Sequence, residues 1–180
     1  MSCVMFVIGS PGVGKTTALT GLLDPFGMML IQRPKWTLSR DVALVGHYGS
    51  GGFDGGDTIA YNGAAAALDY WFAHIYTDSS IQLSVLDGDR FSTGNCWQRI
   101  IGQVPRDQIK CVYLTCQDVE LDKRRASRNN KQNASWMKGR GTKAFNFSRH
   151  FDQDQLVEID TTNLDSHEVT RLIRAAGDLT

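Results

Sequence analysis

No stretch of the 180 residues approaches the roughly 20 consecutive apolar side chains that a membrane helix needs. There is no excess charge to match a polyanion either, since Lys plus Arg number 19 and Asp plus Glu number 19. The four cysteines, Cys3, Cys96, Cys111 and Cys116, contain no C-x-x-C pair and have no histidine at metal-ligand spacing, which argues against zinc and against a disulfide scaffold. Cys3 and Cys111 lie in apolar runs and read as small buried hydrophobes. Met1 to Gly9 holds no basic leader and runs directly into a glycine-rich loop, so no cleaved signal peptide is expected. An ordinary hydrophobic share with balanced charge excludes disordered, coiled-coil and fibrous classes. These absences predict a soluble, cytoplasmic protein with no membrane partner, folded as a single domain over residues 1–180.

What is present is an alternation of short apolar runs with stretches of helical period. Residues 3–8, CVMFVI, have the continuous apolar character of a strand buried on both faces. A glycine-rich loop follows, and residues 17–23 then predict a helix that Pro25 and Gly27 stop. Residues 28–31 and 42–45 flank Pro34 and predict two strands or a hairpin. The stretch 46–57, GHYGSGGFDGGD, predicts a loop, because glycine leaves the backbone under-restrained. From Asp57 or Thr58, as cap, a helix is expected whose apolar positions are Ala60, Ala64, Ala67, Leu68, Trp71, Phe72 and Ile75. Further strands are expected at 81–86, 109–115 and 156–159, and further helices at 97–104, 118–128 and 166–176. Buried strands alternating with helices imply right-handed crossovers and a mostly parallel central sheet covered on both faces, a three-layer α/β fold.

Gly9, Gly14, Lys15 and Thr16 match G-x-x-x-x-G-K-[ST], the P-loop or Walker A pattern, placed between a buried strand and a helix as its mechanism requires. Gly9, Ser10, Pro11, Gly12, Val13, Gly14, Lys15, Thr16 and Thr17 are therefore the expected binding residues for ATP or another nucleoside triphosphate. In this pattern Lys15 reaches the β and γ phosphates while Thr16 gives its hydroxyl to Mg²⁺. Asp87 ends the strand of SVLDGDR, where strand carboxyl ends face the ligand crevice. It is the expected Walker-B-type acid, as metal partner or as acceptor of a proton, and Asp89 is a weaker candidate for either role. Asp57 suits a general base or substrate-orienting group as well as a simple helix cap. His47, Tyr48 and Phe53 offer aromatic faces for a base or sugar, or pack back on the core.

Across residues 123–149 there are nine Lys or Arg and no Asp or Glu. Arg124, Arg125 and Arg128 place two guanidinium groups on one helical face ahead of Lys131, Lys138, Arg140 and Lys143. A mobile basic lid closing over a triphosphate would supply cations and exclude water, and the absence of local acids argues against internal pairing. The same run, interleaved with Trp136, Phe145 and Phe147, also suits a nucleic-acid backbone and its bases.

The early phosphate loop, DGDR after a central strand, the Arg-rich helix with its basic continuation, and a final strand and helix together resemble the small P-loop kinases related to nucleoside monophosphate kinases. The resemblance spans nearly the whole chain, and in that group the loop matching Asp160 to Asn163, DTTN, often passes the adenine. GHYGSGGFDGGDT and RRASRNNKQNASWMKGRGTK are similar to segments of bacteriophage P-loop kinases, including those that phosphorylate 5-hydroxymethyluracil in phage DNA. The resemblance implies transfer of the γ-phosphoryl of ATP to the 5-hydroxymethyl group of that modified pyrimidine in DNA. It implies Asp87 or Asp57 as base, Arg124 and Arg128 beside the migrating phosphoryl, the basic segment near the nucleotide or DNA, and the host cytoplasm as compartment. The zero net charge departs from a DNA-binding enzyme's usual basic excess. A kinase of free deoxynucleosides or their monophosphates is the alternative. A non-kinase NTPase switch would need a Glu or Gln to activate water beside Asp87, and VLDGDRF offers none.

Overall fold

The computed structural model describes residues 2–49, 54–127 and 133–179. Strand β1 (Cys3–Gly9) forms from a run without polar side chains because both of its faces are covered. Val4, Phe6 and Ile8 point into one apolar cluster and Met5 and Val7 into the other, the two-residue period of a strand dividing one run between two layers. On one side the covering helices are α2 (Ala64–Tyr70), α3 (Gly94–Ile101) and α5 (Ala134–Ser148). On the other they are α1 (Lys15–Thr20), α4 (Asp118–Ser127) and α6 (Ser166–Ala176).

The remaining strands are β2 (Met28–Gln32), β3 (Lys35–Ser39), β4 (Val42–Val45), β5 (Leu83–Asp87), β6 (Ile109–Thr115) and β7 (Leu156–Asp160). They form one seven-stranded sheet in the order β2-β3-β4-β5-β1-β6-β7. Strands β4, β5, β1, β6 and β7 run parallel, whereas β2 and β3 add an antiparallel meander at one edge. The fold is therefore α/β with a mostly parallel sheet between two helical layers. After β5 the chain crosses β1 to reach β6, so the sheet changes direction at β1, and a crevice opens outside the carboxyl ends of β1, β5 and β6.

Several expectations are corrected. The region 28–45 holds three strands, with the unexpected β3 centred on the fully buried Trp36, whose Nε1 donates to the Ala67 carbonyl at 3.3 Å. The helix expected from Asp57 starts at Ala64 and ends in a π-turn over Trp71–Ile75, while Asp57 sits in a short 3₁₀ turn, Gly56–Thr58. Thr58 caps nothing there: its hydroxyl donates to the Gly55 carbonyl and accepts from the His47 N–H. Helix α3 begins earlier than its apolar positions suggest because Thr93 caps it, accepting from the Cys96 N–H.

The largest correction concerns the basic segment, whose second part is helix α5. Ala144 and Phe147 bury this helix against the sheet, Phe147 lying 5.2 Å from the Phe6 ring and 6.2 Å from Trp97. Tertiary packing overrides the weak local helix preference of Gly139 and Gly141. No helix among the described residues is long and apolar enough to cross a membrane.

Candidate active site

The loop between β1 and α1 lies at the point where the sheet changes direction. Gly9 opens it at φ 149°, and a Cβ there would stand 2.4 Å from the Leu114 carbonyl oxygen, so only glycine lets β1 run this close to β6. Gly14, at φ 100°, turns the chain into α1. Lys15 folds back over the loop, donating from Nζ to the carbonyls of Gly9 at 2.7 Å and Ser10 at 3.1 Å. Burial pushes its ammonium below the ordinary lysine value, and the negative charges of Asp87 and Asp57 resist that shift.

Asp87 closes β5 and is 5% exposed. Its Oδ2 accepts from the Tyr48 hydroxyl at 2.9 Å and from the Gly56 N–H at 2.9 Å. Its Oδ1 is buried without any hydrogen-bond partner. Burial raises the carboxyl above its ordinary value, opposed by the Lys15 charge, the Gly56 N–H and the Tyr48 hydroxyl. The Tyr48 phenol is itself driven upward, first by burial and then by the Asp87 charge, so it stays protonated and donates. A point 2.9 Å from Asp87 Oδ2 is also 3.1 Å from Thr16 Oγ1, namely the place a Cβ on Gly55 would occupy. Bare glycine thus leaves the Thr16 hydroxyl and the Asp87 carboxylate facing a shared space.

The glycine-rich loop is held at both ends. His47 and Gly55 form an antiparallel bridge, the Gly55 N–H donating to the His47 carbonyl at 2.7 Å. The His47 ring Nε2 lies 2.9 Å from the Ile31 carbonyl, and the Tyr48 ring is buried at 1% exposure. Neither ring is thus presented as a platform for a base, and Phe53 lies outside the described residues. Asp57 is exposed, stands 3.7 Å from Arg90 Nε, and lines the crevice beside Lys15, Thr16 and Asp87.

The crevice is a cavity of about 220 Å³, closed on its far side by α4 and α5. Arg125 reaches it: Nε and a terminal nitrogen donate to the Pro11 carbonyl at 3.0 and 2.9 Å. Arg124 does not line it. Its guanidinium donates to Glu120, to Thr161 and to the Thr162 carbonyl, on a second cavity of about 230 Å³ that Thr17, Gly12 and Gly14 also border. Successive helical residues point about 100° apart, so one Arg-Arg pair serves two cavities. Arg128 lies outside the described residues. Arg140 and Lys143 of α5 both pair with Asp89, and Lys143 Nζ is 3.6 Å from the carboxylate. Lys123 and Arg124 pair with Glu120, and Arg125 pairs with Asp122. Lys123, Arg124, Arg125, Arg140 and Lys143 of the basic segment are therefore paired, with acids from the preceding helical turn and from the loop after β5.

No protein-family model matches the chain, and no curated protein is significantly similar to it. The geometry alone therefore carries the reading. It brings Gly9 to Thr16, Asp87 and Asp57 into one cavity, with Ser10 and Val13 supporting the loop: the Ser10 carbonyl accepts from Lys15, and the Val13 carbonyl accepts from Thr161 Oγ1 at 3.1 Å. Sequence reasoning had Arg125 among the cations of a lid and Tyr48 as an aromatic face, and missed the bond from the Tyr48 hydroxyl to Asp87 and the parts of Gly55 and Gly56. Among the described residues no three His, Cys, Asp or Glu side chains gather as a metal cluster. A hard cation between Thr16 and Asp87 would take its other ligands from phosphate and water, the habit of Mg²⁺.

Proposed function

We propose that the protein is a P-loop kinase that transfers the γ-phosphoryl of ATP to a hydroxyl acceptor. The observation that carries this reading is the Asp87 carboxylate, buried with one oxygen unpartnered, beside Thr16 and in the same cavity as Lys15. A buried, half-satisfied carboxylate costs stability, and such groups concentrate where a ligand completes them. The donor set fits Mg²⁺, held by the Thr16 hydroxyl and Asp87; when bound, the ion neutralises charge on the phosphates.

The protein's own groups supply the rest. Lys15 exchanges the carbonyls of Gly9 and Ser10 for β- and γ-phosphate oxygens. Arg125, now on the Pro11 carbonyl, adds a second cation at the loop. Asp57, exposed and on the same cavity, accepts the proton of the acceptor hydroxyl. The acceptor oxygen bonds to the γ phosphorus as the bond to the bridging oxygen breaks, and the nucleoside diphosphate leaves. The Tyr48 hydroxyl and the Gly56 N–H both donate to Asp87 and favour its ionised form against burial. No Glu or Gln lines this cavity among the described residues, which disfavours a hydrolytic switch.

For the acceptor, the resemblance to phage kinases favours the 5-hydroxymethyl group of 5-hydroxymethyluracil in DNA. A second reading, a free deoxynucleoside or its monophosphate, is favoured by the pairing of Arg125, Arg140 and Lys143 with acids, which leaves fewer cations for a nucleic-acid backbone. Transfer of label from γ-labelled ATP separates them, with duplex DNA carrying 5-hydroxymethyluracil on one arm and a panel of free deoxynucleosides and monophosphates on the other. Lys15→Ala is expected to remove at least about 10²-fold of the rate while the protein remains folded. Undiminished turnover in that variant would sink the phosphate-loop reading.

A further inference from the structure

We infer that Trp136 is the platform on which a heteroaromatic base of the phosphoryl acceptor stacks; this rests on the kinase reading and deepens it to the acceptor's chemical class. Three of the four tryptophans belong to the core, Trp36 and Trp71 at 0% exposure and Trp97 at 5%. Trp136 is 42% exposed and lines the cavity that holds Lys15, Asp57 and Asp87. The deepest burial of α5 is further along the helix, at Ala144 and Phe147. A half-exposed indole on the lining of a polar cavity offers an aromatic surface to a ligand.

The ring is also fixed in place. The Arg140 guanidinium sits over it, 4.7 Å from the ring centroid, and is itself ion-paired to Asp89 at the end of the β5 turn. A cation anchored to the sheet holds the indole from one side, so little side-chain freedom remains to be lost when a base stacks. The base involved is the acceptor's and not the donor's. Thr17, Arg124 and Thr161 border a separate cavity that shares Gly12 and Gly14 with the first, and that cavity is left for the nucleoside of the triphosphate. A base on Trp136 places its substituents toward the cavity that Asp57 shares. The chemistry recognised is a flat heteroaromatic base, whether in a free nucleoside or in a DNA strand.

The test uses acrylamide quenching of tryptophan fluorescence in the full chain. Trp136 is the accessible indole, so Trp136→Phe is expected to remove most of the quenchable emission. With the wild-type protein, 5-hydroxymethyl-2′-deoxyuridine or a DNA oligonucleotide containing 5-hydroxymethyluracil is expected to lower the quenching slope severalfold, and the more effective probe identifies the source. Mg²⁺–ATP alone is expected to leave the slope in place. In transfer assays Trp136→Ala is expected to raise the acceptor KM by about 5- to 150-fold, the range for one base–aromatic stack, with Trp136→Phe recovering most of the loss. An unchanged slope with both base probes, or protection by Mg²⁺–ATP alone, overturns the inference. Protection by a base without any phosphoryl transfer overturns the kinase reading and leaves the platform standing, whereas transfer without protection does the reverse.

Discussion

Replacing Tyr48 with Phe removes a single oxygen and leaves the ring, which is buried at 1% exposure, in place. The lost group donates to Asp87 Oδ2 at 2.9 Å, and among the described residues the Gly56 N–H is then the remaining donor to that oxygen. A hydrogen bond to a buried charge contributes about 1.5–3 kcal/mol, and the isosteric ring adds no cavity term. A domain of this size shifts its melting temperature by about 2–4 °C per kcal/mol, so Tyr48→Phe is expected to melt roughly 3–12 °C lower at pH 7. Thermal and urea unfolding in the absence of Mg²⁺ measure it. In an Asp87→Asn background the same substitution meets a neutral partner, and its cost is expected to fall to about 0.5–1.5 kcal/mol. Equal losses in both backgrounds, or none in either, would refute the claim that Tyr48 acts on the Asp87 charge.

Other expectations follow from the same site. Because burial raises the folded-state pKa of Asp87, the folded protein holds that proton more tightly than the unfolded chain does. The Asp87 contribution is therefore unfavourable above the folded pKa and is relieved as pH falls through it. The stability of the metal-free protein relative to Asp87→Asn is thus expected to improve as pH is lowered from 7, and urea titrations showing the opposite slope would contradict the burial argument. Gly55→Ala forces a side chain into φ 90° and within 2.9 Å of Asp87 Oδ2. It is expected to cost about 1–3 kcal/mol and to abolish the Mg²⁺ dependence of nucleotide binding, read by titration of a fluorescent ATP analogue. Retained Mg²⁺ dependence would exclude a metal between Thr16 and Asp87. Arg125→Ala is expected to lower kcat by about 10²-fold with little change in the KM for ATP, because charge on the migrating phosphoryl develops in the transition state. Arg124→Ala is expected to raise the KM for ATP instead, and steady-state kinetics giving the reverse pattern would reassign the two residues.

The parallel core was legible because its strands advertise themselves. CVMFVI and the run 109–115 carry no local ambiguity once both faces are taken as buried, and the observed strands Cys3–Gly9 and Ile109–Thr115 follow them closely. The G-x-x-x-x-G-K-T pattern is equally local, and the structure sets it between β1 and α1. What escaped was whatever depends on a partner far along the chain. Strand β3, KWTLS, has polar ends, and only the tertiary slot for Trp36 makes it a strand. The basic segment looked mobile because it is poor in aliphatics and rich in Asn, Ser and Gly, yet Gly141 lies close against the loop after β1: a Cβ there would stand 2.7 Å from Ser10 Oγ. Tyr48 gave no sign of its partner because Asp87 is 39 residues away. The acids that pair with the basic segment were invisible to a window that contained none.

The contact between the glycine-rich loop and the end of β5 has a consequence for how relatives of this chain could be recognised. A Cβ on Gly56 would stand 2.3 Å from the Asp87 carbonyl oxygen, and one on Gly46 would stand 2.2 Å from the Gly55 carbonyl oxygen. Neither position tolerates a larger residue unless the backbone moves, and the aromatic hydroxyl at Tyr48 has one geometry from which to donate. Divergence can therefore erase almost every other letter of the loop before it erases these. A sparse pattern of one hydroxylated ring, two glycines and a strand-terminal aspartate, placed behind a G-x-x-x-x-G-K-T loop, would outlast any overall likeness between sequences.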